Sequence, residues 1–301
     1  MYSSNKCIIG ILIIISGLLS LSCSGSGDSE TMDSNEVDVV MNDYAFAVVD
    51  SVSSGWTTFK MDNRGQETHE FIMHRLPENK SYQDLHTEVI QPLDSLQQLL
   101  LEGTIDSSEH EKAVPKTLPD WIGKLESIGG GGLISPGEIS RITLNLDPGN
   151  YAMSCFIPSP NGRSHIFQGM IRSITVAGNS SDPAKPQPDV TVTSSGDDIT
   201  VDGSLFFGTN TIAFHVVEPD SEDTSSYSSM YLAYPLDPMQ RVKEFRDVDT
   251  HDPPSDLIGG TLGVPEGDTS FVTVELTTPG TYNFVFPHGD KKTILKEITV
   301  N

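Results

Sequence analysis

The sequence predicts an all-β chain of two like-folded Greek-key sandwich domains, the first carrying a helical insert. Three observations lead there. Short runs alternating apolar and polar residues, separated by Gly, Asn, Asp and Pro, recur along most of the chain. The stretch Gly129 to Tyr151 (GGGGLISPGEISRITLNLDPGNY) returns as Gly259 to Tyr282 (GGTLGVPEGDTSFVTVELTTPGTY), and the closing runs Arg172–Val176 and Lys296–Val300 also match. Repetition at about 130 residues means two domains of one kind and not a solenoid. One segment breaks the β pattern: Leu85, Val89, Leu93, Leu96, Leu99 and Leu100 recur at helical spacing.

Taken in order, residues 1–22 read as a secretory signal. Lys6 precedes an apolar run, Cys7 to Leu21, too short for a comfortable membrane span and ending in small residues. Ser20-Leu-Ser-Cys23 resembles a bacterial lipoprotein signal, with Ser20 where the motif usually has leucine. The expectation is a lipid on Cys23, an exported protein at the periplasm or cell surface, and an outer-membrane address where that membrane exists. Residues 23–36 form an acidic tether. The net charge of −24, from 18 basic and 42 acidic residues, argues against nucleic acid and against an anionic membrane surface as partners. Scattered acids serve solubility.

The first domain spans 37–177. Val37–Met41, Tyr44–Val48, Trp56–Met61 and Thr68–Met73 read as strands, with a turn at Asn63-Arg-Gly65. The insert spans 78–128. It opens on a Ser81-x-x-Asp84 capping box, Pro92 should kink its helix, and further helical pieces are expected at 107–113 and 119–127. Gly129–Gly132 reads as a flexible joint. Strands follow at Ile139–Leu146, Tyr151–Phe156 and Met170–Val176, with a loop at Ser159–Gly162. A linker, 178–188, leads to a second domain, 189–301, with a shorter helical counterpart around Met239–Val248.

Cysteine arithmetic picks out one residue. Cys7 leaves with the signal and Cys23 takes the lipid, so Cys155 has no disulfide partner in an oxidising compartment. It is either a buried core thiol or a metal ligand. The repeat serves as a control: its counterpart in the second domain is Phe286, so the fold does not need a cysteine there. Around Cys155 the spacing is Cys-x9-His165-x4-Met170, and His69 stands at one end of the earlier strand-like run Thr68–Met73. One thiolate, two imidazoles and a thioether form the donor set of a mononuclear electron-transfer copper site. Pro158 and Pro160 stiffen the loop, and Phe156, Ile157 and Phe167 are expected to exclude water. His74 alternates to the opposite strand face, and His86, His110, His215, His251 and His288 read as solvated surface residues. No Gly-x-Ser-x-Gly, His-Glu-x-x-His or His-x-His pattern occurs.

The pattern Asp43-Tyr-Ala-Phe46, Gly55, Asn63-x-Gly65, His69-Glu-Phe71, followed by strand, Cys155, loop, His165, Met170 and strand, resembles the cupredoxin-like family of blue copper proteins. The resemblance implies one type 1 copper held by His69, Cys155, His165 and Met170. It implies single-electron exchange with a redox partner protein, His165 serving as the electron port near the surface, and no enzymatic activity. A copper carrier or sensor, or a metal-free interaction module, are the alternative expectations.

Overall fold

The computed structural model describes residues 35–178, 184–196, 198–217, 228–235, 255–287 and 293–300. The signal, Cys23, most of the tether, the helix expected around Met239–Val248, His251 and His288 lie outside the described residues.

Two sheets pack face to face. The first runs in the order β11 (Asp198–Gly203), β10 (Val190–Ser195), β12 (Gly208–Val216), β15 (Thr269–Leu276), β7 (Ile139–Leu146), β4 (Gly55–Asn63), β1 (Glu36–Asn42) and β2 (Ala45–Ala47). The second runs β17 (Ile294–Val300), β16 (Gly280–Phe286), β13 (Ser228–Pro235), β14 (Ser255–Val264), β6 (Glu126–Ile134), β5 (His69–Arg75), β8 (Gly149–Ser154), β9 (Ile171–Ala177) and β3 (Ser51–Ser53). Alternation explains the faces: in β4, Thr57, Phe59, Met61 and Asn63 are buried while the residues between them are half-buried. The architecture is the expected one, cupredoxin-like β-sandwich halves with a helical insert in the first.

The repeat is visible in the strand order. β7-β4-β1-β2 in the first half is matched by β15-β12-β10-β11 in the second, and β6-β5-β8-β9 by β14-β13-β16-β17. Each half also closes the same corner. The Tyr151 hydroxyl donates to the Asp147 carbonyl at 2.8 Å, and the Tyr282 hydroxyl to the Thr278 carbonyl at 2.7 Å. The halves join where equivalent strands pair with each other. β7 runs antiparallel to β15, with Arg141 opposite Thr273 and Ile142 opposite Val272. β6 runs antiparallel to β14, with Gly131 opposite Thr261. Both sheets therefore continue through the molecule, and one buried cluster includes Phe59, Phe71, Phe214 and Phe284 from both halves.

Gly129–Gly132 is not a joint. These glycines lie inside β6, between β5 and β14, and are buried or nearly so. A Cβ on Gly130 would overlap the Phe71 carbonyl oxygen, and one on Gly131 the Met61 sulfur. Glycine is needed here for close approach of backbones, not for freedom of movement.

The insert opens as expected: Ser81 and Asp84 cap α1 (Tyr82–Leu85) reciprocally. A π-helical turn, His86–Ile90, leads directly into α2 (Gln91–Leu101), with Pro92 the second residue of α2. The backbone stays helical from Tyr82 through the π turn to Leu101. α3 spans Ser107–Thr117. The third expected helix shrinks to a 3₁₀ turn, Ile122–Lys124, because β6 starts at Glu126 and pairs with β5. Leu85, Val89 and Ile90 pack on Leu76, Ala152, Ile166 and Ile171, so the insert lies over β8, β9 and the loop between them. Among the described residues, no helix is long and apolar enough to cross a membrane.

Candidate metal centre

One end of the first half gathers the chemistry. β4 ends there at Asn63, β5 begins at His69, β8 ends just before Cys155, and β9 begins just after Met170. Asn63 organises the entry. Its side chain donates to the carbonyls of Glu67 and Ile134 and accepts from the Gly65 N–H, which folds the 63–67 turn and delivers His69 inward.

The segment from Cys155 to Met170 is a closed, braced loop. Pro158 bridges to Ser164, Gly162 takes a positive φ of 83°, and Ser159 bonds the Arg163 carbonyl through both its backbone and its hydroxyl. The spacing between Cys155 and His165 is thus absorbed in the Pro160-Asn161-Gly162 turn. His165 opens a single helical turn, α4 (His165–Gln168), within what the sequence suggested was loop. Backbone bonds from Cys155 N to the Met170 carbonyl and from Met170 N to the His165 carbonyl tie the loop ends together. The insert clamps the outside. Arg163 forks onto Asp94 of α2 at 2.8 Å, and Gln97 exchanges bonds with the Ser164 backbone and hydroxyl.

His69, Cys155 and His165 converge, all buried, with their ligand atoms within 4.8 Å of one another. The two Nδ1 atoms stand 3.3 Å apart, and Cys155 Sγ lies 3.5 Å from His165 Nδ1. Donors about 2.0–2.3 Å from an ion in a trigonal plane are separated by about 3.5 Å, so the donor set and its spacing fit such an ion. Met170 is fully buried at the end of the same loop. The backbone N–H groups of Glu70 and Ile157 favour the charged form of the Cys155 sulfur. Burial pushes the Cys155 thiol up, so metal binding must displace its proton. Burial pulls His69 down to about 4, with His165 adding to the effect, so the His69 imidazole is neutral at neutral pH.

Three residues not singled out as part of the site complete the centre. Asp43 Oδ1 lies 3.2 Å from His69 Nε2 and also accepts from the backbone of Gln66 and Glu67. These partners hold the Asp43 carboxyl below its ordinary value even though burial opposes them. Glu67 Oε2 lies 2.8 Å from His165 Nε2, while Glu67 Oε1 accepts from the Tyr44 hydroxyl at 2.6 Å. The Tyr44 ring stands edge-on to the His165 ring at 5.3 Å. Tyr44 does this from a left-handed backbone, φ 65°, in the turn between β1 and β2.

Two expectations need correction. His165 is not near the surface: it is 0% exposed, closed over by Tyr44 and Glu67. Phe156 does not seal the site, because it is 49% exposed, whereas Ile157 is buried. Of the remaining histidines, His74 does face away from His69 but is half-buried, and burial lowers its pKa. His215 bonds the Asp268 carbonyl and Thr269. His86 and His110 are half-buried.

No family model and no curated protein sequence matches the chain. Among solved structures, reduced auracyanin from Roseiflexus castenholzii matches at a TM-score of 0.28 and 18% identity, over 48% of this chain and 98% of that one. A multicopper oxidase matches at 0.23 and 14%, over 88% of each chain. The Cu-containing nitrite reductase of Thermus scotoductus SA-01 matches at 0.22 and 14%, over 88% of this chain and 60% of that one. Likeness at these scores carries no argument by itself, and the class is assigned from this chain's own strand order and donor set: a cupredoxin-like fold with a His-Cys-His cluster. The expectation of no enzymatic activity is corrected: structures matched over 88% of this chain include a multicopper oxidase and a Cu-containing nitrite reductase.

Proposed function

We propose that the first half holds one type 1 copper and passes single electrons, in an exported protein tethered to a membrane through a lipid on Cys23. The observation that carries this reading is the convergence of Cys155 Sγ with His69 Nδ1 and His165 Nδ1 in a buried, braced pocket. His69, Cys155 and His165 would hold the ion, with Met170 as the weak fourth donor. Copper in such a set supplies reversible one-electron chemistry with little rearrangement.

The protein's own part is to fix the donors beforehand. Asn63 sets His69, and the Arg163–Asp94 fork sets the loop that carries His165. Ile157 and Tyr44 keep water from the sulfur and the rings. The Glu70 and Ile157 N–H groups stabilise charge on Cys155 once its proton has gone.

The test is a spectrum. Cu(II) added to the purified protein should give an intense visible thiolate-to-copper band, a reversible reduction potential, and protection of Cys155 from alkylation. Cys155→Ser should abolish the band. A colourless Cu(I) adduct would indicate a carrier instead, and no adduct with unprotected Cys155 would remove the metal altogether. Mass spectrometry of the exported N-terminus tests the lipid on Cys23.

A further inference from the structure

We infer that Asp43 and Glu67 are positioning residues that lock both imidazoles with Nδ1 facing Cys155 and hold the potential of the bound metal down, with Tyr44 directing the Glu67 carboxylate. The inference rests on the copper reading above.

A neutral imidazole carries one N–H, and the partner of one nitrogen decides the role of the other. Each carboxylate here takes the Nε2 side: Asp43 at His69 and Glu67 at His165. A carboxylate can only accept, so Nε2 carries the hydrogen and Nδ1 presents its lone pair to the pocket. The surroundings fix each carboxylate in turn. Asp43 is held by the Gln66 and Glu67 backbone N–H groups. Gly65 leaves room for the pair, since a Cβ there would overlap Asp43 Oδ1 and approach His69 Nε2. Tyr44 claims one oxygen of Glu67 and leaves the other for His165.

The electrostatic consequence has a definite sign. Two anionic groups bonded to the two ligand imidazoles make those ligands more basic and favour the more highly charged oxidation state. Reduction is therefore harder with them than without them.

Glu67→Gln separates this role from mere packing. The Tyr44 hydroxyl would still claim the side-chain oxygen, so the amide NH2 would face His165 Nε2 as a donor. His165 would then switch to Nδ1–H, blocking the ligand nitrogen. Tyr44→Phe in the same chain frees the amide to turn its oxygen to Nε2, and should restore the original tautomer. Asp43→Asn removes charge while the backbone bonds to its oxygen remain.

Long-range ¹H–¹⁵N spectra of metal-free protein with labelled histidine read the tautomers without copper. Both site histidines should be Nε2–H in the wild type, His165 should become Nδ1–H in Glu67→Gln, and the double variant should return it. In copper-loaded protein, Asp43→Asn and the double variant should keep the visible band. Each should raise the ratio of Cu(I) to Cu(II) affinity about tenfold, a rise of about 59 mV for one electron. An Nδ1–H tautomer in the wild type, or one unchanged by Glu67→Gln, overturns the positioning role. A potential that does not move overturns the tuning role. A wild type that gives the expected tautomers but no copper band instead sinks the copper reading and the tuning role, leaving the positioning intact.

Discussion

The two halves place different residues at the same point of the same fold. Where the first half turns out of β8 it has Cys155, facing His165 at 3.5 Å. Where the second half ends β16 it has Phe286, packed beside Phe214 and Phe284 at ring-centre distances of 6.2 and 6.5 Å. The tyrosine corners and the strand orders are the same in both. The same sandwich forms with either residue, and the first half places a buried polar cluster where the second has apolar packing.

The comparison can be broken in several ways. Phe286→Ala should destabilise the protein most, by about 3–5 kcal/mol in a denaturant titration, and leave the visible copper band unchanged. Loss of the band would show that the second half supports the site directly. Gly130→Ala forces a methyl into the Phe71 carbonyl and should cost about 3 kcal/mol. Gly260→Ala, whose Cβ would overlap the Met230 carbonyl oxygen, should cost about as much, since the two halves meet through equivalent strands. A flexible joint would instead gain up to about 1 kcal/mol from Gly130→Ala.

Acid separates the halves more gently. His69 binds a proton near 6.5 when unfolded but only at about 4 when folded, so protonation favours the unfolded chain. Metal-free protein should keep this stability above pH 6.5 and lose up to about 3 kcal/mol as the pH falls toward 4. Urea melts at pH 7, 5 and 4 read the loss, and His69→Phe, which gives the first half an apolar site like the second, should flatten it. The smallest effect expected is that of Asp94→Asn. It weakens a partly exposed pair worth about 1 kcal/mol or less, and should show as faster alkylation of Cys155 in the metal-free protein at unchanged melting.

Much of this was legible in the sequence because the signals were local or repeated. Period-two alternation marked the strands, the internal repeat marked two halves, and the spacing of Cys155, His165 and Met170 marked one loop. What escaped notice depends on distance or on ambiguity. Asp43 meets His69 across 26 positions, and Asp94 meets Arg163 across 69. Tyr44 has no residue-type signature for its left-handed backbone, so the cover over His165 could not be anticipated. Gly129–Gly132 is ambiguous in the sequence because a missing Cβ serves close packing and chain freedom equally well. Glu67 stood two residues before His69, and a carboxylate that close to a candidate ligand was the one available hint.

The continuity of both sheets means that strands of the second half cover strand edges of the first. Without it, β6 and β7 would each lose a neighbour and expose a row of unpaired backbone N–H and C=O groups beside a buried apolar core. Open rows of that kind recruit further strands and seed aggregates. By pairing with both, β14 and β15 cover those rows in the half that carries the His-Cys-His cluster.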